Sequence, residues 1–136
     1  MRFPTCIAAS FALLTIAVAP LTAQAQNQSQ PRALTPQESA FVQIFNLSME
    51  DKPNSLVRMI ADWGKADDGQ MVCTALKLGK SVESVHNSLI DRSLQISDPT
   101  IQQEFMQYSN GILIAATVTL CPEYHGAFVQ YINSSR

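Results

Sequence analysis

The chain has 136 residues, with nine Lys and Arg against eleven Asp and Glu for a formal net charge of −2, and 46% of its residues are hydrophobic. That is the size of one small domain, with apolar content for a single core. The basic residues are scattered singly along the sequence, which excludes the clustered positive footprint that nucleic acid or an anionic membrane surface would need.

The first 25 residues read as a signal peptide. Arg2 supplies a positive start, Cys6 to Ala19 is an apolar run, Pro20 breaks it, and Ala23-Gln24-Ala25 is an A-x-A cleavage signal. The run is shorter than the ~20 residues of a membrane span. No later segment reaches that length, so no membrane span is expected once the peptide is removed. Export to the periplasm or the extracellular space follows, and Cys6, which lacks the flanking pattern of a lipoprotein cysteine, leaves with the peptide. Taking 25 residues from 136 leaves 111, and losing Arg2 makes the net charge −3.

Residues 26–34 are polar, hold one Pro and show no periodicity, so they read as a flexible lead-in to a helical domain over residues 35–132, with 133–136 as a tail. Thr35-Pro36-Gln37-Glu38 is a capping sequence, after which Phe41, Ile44, Phe45 and Met49 recur at helical spacing. Lys52-Pro53-Asn54 ends that helix, and Leu56, Met59, Ile60 and Trp63 mark a second one that Gly64 stops. Asp67 or Asp68 caps a third, with Val72, Cys73 and Leu76 on one face and Gly79 as its stop. Ser81 caps a fourth that turns Val82, Val85, Leu89 and Ile90 inward and fades near Ser97.

The longest periodic run comes after Ser97-Asp98-Pro99: Ile101, Phe105, Tyr108, Ile112, Leu113, Ala116 and Leu120, which makes this fifth helix the centre of the core. Cys121-Pro122 ends it, and Tyr124 to Ile132 reads as a short apolar helix whose Phe128, Val129 and Ile132 could leave a patch for a partner. The fold class is therefore all-α: a small single-domain bundle of five or six short helices, with no alternating strand pattern.

Cys73 and Cys121 remain after cleavage, and an even count in an oxidising compartment favours one disulfide, with a free or catalytic thiol and a metal site as the alternatives. A metal site would want further Cys or His at short spacing, and no C-x-x-C or H-x-x-x-H occurs. In the chain-entropy model a bridge closing this loop stabilises the fold by about 4 kcal/mol.

Gly69, Val72-Cys73, Leu76, Gly79 and Ser81, followed by an Ala-rich helix ending in Cys121-Pro122-Glu123, resemble domain-of-unknown-function family 732, small secreted helical proteins of mycobacteria and other bacteria. The resemblance spans about Phe41 to Tyr124. It implies a paired Cys73 and Cys121 and brings no activity or catalytic residue with it.

A Cys-His nucleophile would need Cys73 or Cys121 beside His86 or His125, and bridging the sulfurs removes the thiolate, so no catalytic residue is assigned and no enzyme is expected. Tyr108, His86, Tyr124 and His125, with Tyr131, are candidate ligand-binding residues. Tyr and His can bind haem iron, and small exported helical haem carriers offer an analogy at the level of fold alone. Aromatic residues at helical spacing are more often core, so no cofactor is assigned. The acidic pairs Glu50-Asp51 and Asp67-Asp68 read as helix-boundary caps.

Three functional classes compete in the order of an envelope or extracellular interaction module without catalysis, a carrier of a small hydrophobic ligand such as haem or lipid, and a cysteine enzyme. A carrier would need a cavity lined by Phe105, Tyr108, Ile112 and Trp63. The first test is the intact mass of protein recovered from its native compartment: a start near Gln26 and no alkylation without reductant are expected, whereas alkylation of both thiols removes the bridge and revives the cysteine enzyme.

Overall fold

In the computed structural model, which describes residues 31–135, Thr35 accepts a hydrogen bond from the Glu38 amide while the Glu38 carboxylate accepts one from the Thr35 amide. This reciprocal cap starts α1 (Pro36–Met49), and Phe41, Val42, Phe45 and Met49 form its buried stripe. The signal peptide, the Ala25 cleavage site and the first part of the lead-in lie outside the described residues. The rest of the lead-in is tied down: Arg32 forks onto both oxygens of Glu38 at 2.8 and 2.9 Å and also reaches Asp67, and Leu34 packs on the core. These contacts fall on Arg32 and Leu34, in the last part of the expected lead-in. The pairing with Arg32 holds the Glu38 carboxyl down to about 2, against a burial cost that works the other way.

The chain continues through α2 (Ser55–Met59), α3 (Asp62–Lys77), α4 (Val82–Leu94), α5 (Pro99–Thr119), a single 3₁₀ turn at Pro122–Tyr124, and α6 (His125–Ser134). Among the described residues every element is helical. The all-α fold is as the periodicity implied, and the one disulfide is as the cysteine count favoured. Among them, too, no single helix is long and apolar enough to cross a membrane.

Two boundaries differ from the sequence reading. Gly64 does not stop a helix, and Asp67 and Asp68 cap nothing; all three lie inside α3, which begins at Asp62. Ile60 is extended, with ψ at 123°, and there α2 ends. The reason lies in the two residues after Gly64. Ala66 is fully buried, and Lys65 is buried with its ammonium 2.8 Å from Asp62, bonded to Asn46 and set over the Phe45 ring. Burial against α1 exceeds the roughly 1 kcal/mol that a helical glycine costs. Met59, read as inward, is 77% exposed.

Gly79 stops α3 as expected, with φ at +89°. Its amide donates to Leu76 and the Lys80 amide donates to Ala75, the paired bonds of a Schellman cap. Ser81 and Asp98 cap α4 and α5 through their side chains.

Helix α5 is the hub. α1, α3 and α4 all lie against it, and α2 and α6 close its two ends. Tyr108, Ile112, Leu113, Ala115 and Ala116 are buried along it. α6 runs to Ser134, two residues into the expected tail, and turns Phe128 inward while Ile132 packs on the core. Of the three apolar residues read as a partner patch only Val129 is exposed, so the tail forms no such patch.

Cys73 and Cys121 form the disulfide, with Cα atoms 5.8 Å apart and both residues almost wholly buried at 1% and 0% exposure. One turn before Cys73, Gly69 lies where a Cβ would come within 2.8 Å of both the Phe41 ring and Leu120. Phe41 is fully buried and has no room to yield. Gly69→Ala is therefore expected to destabilise the protein by about 1–3 kcal/mol through overpacking, despite the helix propensity it gains. Gly126→Ala, facing open space in α6, is expected to be neutral or stabilising. Urea denaturation of both variants checks this, and equal effects would show that α3 is not held tightly at Gly69.

Candidate functional site

α3 and α4 are joined by the tight turn at Gly79, yet each packs mainly on α5 and little on the other. The helical stripes explain this: Val72 and Leu76 on α3 and Val82 and Val85 on α4 are all spent on the core. A groove of about 210 Å³ is left between the three helices. Val72, Ala75, Val85, Leu89, Phe105 and Ile112 make its apolar lining, and Met71, 53% exposed, stands at its lip. Phe105, Tyr108 and Ile112, expected to line a cavity, do so; Trp63 is not among its walls.

The polar members come from all three helices and the turn. Asp68 from α3, Lys80 from the turn, and Ser88 and Arg92 from α4 edge the groove. The Tyr108 hydroxyl donates to Asp68 Oδ2 at 2.7 Å. Burial raises the Asp68 carboxyl above its usual range, against the lowering effect of this hydrogen bond and of the Arg92 charge. Burial also pushes the Tyr108 phenol up, with the Asp68 charge adding to it. Tyr108 is thus a neutral donor that holds a carboxylate in place, and its ring meets Phe45 edge-on at 5.3 Å, anchored in the core.

The other candidate ligand-binding residues do not join Tyr108. His86 Nδ1 lies 2.7 Å from the Tyr131 hydroxyl and Nε2 lies 3.0 Å from Asn110 Oδ1, so in the neutral ring Nε2 donates to Asn110 and Nδ1 accepts from Tyr131. Both nitrogens are occupied in a strut linking α4, α5 and α6. His125 begins α6 and stacks on Phe128, with Nδ1 buried and unbonded, and Tyr124 is half-buried against the core. No single site gathers the four. Among the described residues no group of three or more His, Cys, Asp or Glu is placed to hold a metal ion.

Asp68, Lys80 and Arg92 do not stand out as site residues in the sequence. Asp68 is disguised by its neighbour Asp67, because an acidic pair ahead of an apolar stripe looks like a cap. The available signal is spacing: Asp68, Val72 and Ala75 fall on one helical face, which mixes a carboxylate with apolar residues.

Residues 58–123 match the model of a family described as protein of unknown function (DUF732). The matched segment carries both Cys73 and Cys121 and all of the groove, and starts later than Phe41, where the sequence resemblance begins. No curated protein and no solved structure matches the chain.

Tyr108→Phe tests the polar element of the groove. A carboxyl whose folded pKa is raised contributes most favourably below its ordinary value of 3.8, and that contribution is lost as pH climbs through the folded value. Removing the phenol removes a bond that lowers the Asp68 pKa, so its titration should move further up. The variant should cost about 1–3 kcal/mol near neutral pH, and less in acid where Asp68 is protonated. NMR titration of the Asp68 carboxyl carbon together with denaturation at two pH values checks this; an unmoved midpoint would show that the hydrogen bond has no energetic weight.

Proposed function

Starting from a DUF732 segment with a bridged cysteine pair, we propose that the protein is an exported binding module without catalysis, and that it binds through the α3/α4/α5 groove. The observation that carries this is the groove itself: apolar walls held open between two helices and edged by charged groups. The signal-peptide pattern of residues 1–25 and the disulfide are both consistent with an oxidising compartment outside the cytoplasm. The reading without catalysis is supported by the sulfur chemistry, since neither bridged cysteine can act as a thiolate. The occupied nitrogens of His86 support it too.

At about 210 Å³ the groove is smaller than the roughly 300–1,000 Å³ of sites for drug-sized ligands. It suits a small ligand and is too small for haem. Exposed Met71 on its lip and Leu78, 79% exposed at the end of α3, favour a second reading, a partner protein that inserts a side chain into the same groove.

Ser88→Trp fills the groove from an exposed position and leaves the core intact. Native mass spectrometry of wild-type protein purified from its own host should show a bound small molecule that the variant lacks. A protein partner lost in the same variant would establish the second reading instead. Binding of either kind that Ser88→Trp leaves unchanged overturns the groove as the binding surface.

A further inference from the structure

We propose that the groove takes a small amphipathic anion: one short acyl chain lying on the apolar lining, with its single negative head against Lys80 and Arg92. The inference rests on the groove being the binding surface and adds the chemistry of its occupant.

Charge selects the head. Among the described residues Arg32 and Lys65 have carboxylate partners within 4 Å; Lys52, Arg58, Lys77, Lys80 and Arg92 have none, and of these five Lys80 and Arg92 stand exposed at the groove's edge. A chain of net charge −2 thus keeps two unpaired cations on one small apolar groove. The opposing charge there is Asp68 on α3, and its carboxylate is engaged by the Tyr108 hydroxyl of α5 and lies within reach of the Arg92 field. Two cations against one partly satisfied carboxylate leave a positive edge, with the larger unbalanced share at Lys80. The Ser88 hydroxyl on the same rim already donates to the Ser84 carbonyl at 2.8 Å, which leaves the head to the two cations.

Volume selects the tail. Taking roughly 30 Å³ for a group the size of a water, a groove of about 210 Å³ holds about seven methylene-sized groups. That is a chain of about the length of octanoate. Leu89, Phe105 and Ile112 offer apolar surface to such a chain, with no hydrogen-bonding group among their side chains. A cationic amphiphile would instead place its head beside Lys80 and Arg92 and be repelled.

The experiment is a titration of ¹⁵N-labelled, disulfide-bonded protein with octanoate, octanol and octylammonium, followed by the amide shifts of Val72, Leu89, Phe105 and Ile112. Octanoate is expected to bind about tenfold tighter than octanol, as one charge-assisted contact implies, and octylammonium more weakly than either. Rising salt should weaken octanoate and leave octanol unchanged. In the Lys80→Gln/Arg92→Gln double variant, whose two changes are both on the exposed edge, octanoate should fall to the affinity of octanol while octanol keeps its own. Equal binding of octanol or octylammonium and octanoate, or a double variant that keeps the preference, overturns the anion while leaving the groove as a binding surface. If none of the three moves the groove amides, the acyl-anion proposal is overturned, and the groove as a binding surface is decided separately by the Ser88→Trp comparison.

Discussion

The disulfide and the close approach beside it hold the rest of the molecule in place. Gly69 and Cys73 are one turn apart on α3, and they face Leu120 and Cys121 at the end of α5, with Phe41 of α1 wedged against the same spot. Three helices meet there with almost no space between them. The bridge links residues 48 apart in sequence, and in the chain-entropy model it removes about 4 kcal/mol of freedom from the unfolded chain. For a domain of this size that is a large part of the total stability available. The absent Gly69 side chain lets the helices approach closely enough for the sulfurs to meet inside the core.

That clamp also accounts for the groove. α3 is fixed to α5 along the Gly69–Cys73 edge, and α4 reaches α5 through Val82 and Val85 after a turn set by Gly79. The most buried apolar residues of both helices face the core, and Ala75, Leu89 and Phe105 remain half-buried on the groove's walls. Asp68 sits on the same edge of α3 and is held by Tyr108, a residue anchored in the core through Phe45. The carboxylate of the groove is thus positioned by the same packing that forms the core. Beside Asp68 on α3, Asp67 receives Arg32 together with Glu38 of α1, which ties the start of the described chain to two helices at once.

Caps and periodicity made much of the fold legible. Thr35, Ser81 and Asp98 cap the helices their sequences announced, Gly79 stops α3, and the run from Tyr108 to Leu120 is the buried axis that its spacing implies. These signals are local, so each needs only the few residues around it. The misreadings share a cause. Gly64, Asp67 and Asp68 carry the chemistry of a helix boundary, and they sit inside a helix because Lys65 and Ala66 bury against α1. Phe128 and Ile132 looked like a free apolar face because the sequence does not say that α6 folds back on the bundle after the turn at Pro122.

By itself the sequence determined the helical class, the capped boundaries and the core axis, since each follows from residue chemistry within a turn or two of the chain, and it offered Cys73 and Cys121 as the cysteine pair of the helical segment. Only the tertiary structure decided that Tyr108 meets Asp68, that His86 is spent on Tyr131 and Asn110, and that α3 and α4 part to leave a groove edged by Lys80 and Arg92. Those pairings join residues as far as 45 positions apart. They depend on crossing geometry fixed by how closely three helices pack at Gly69, and no local pattern encodes that distance.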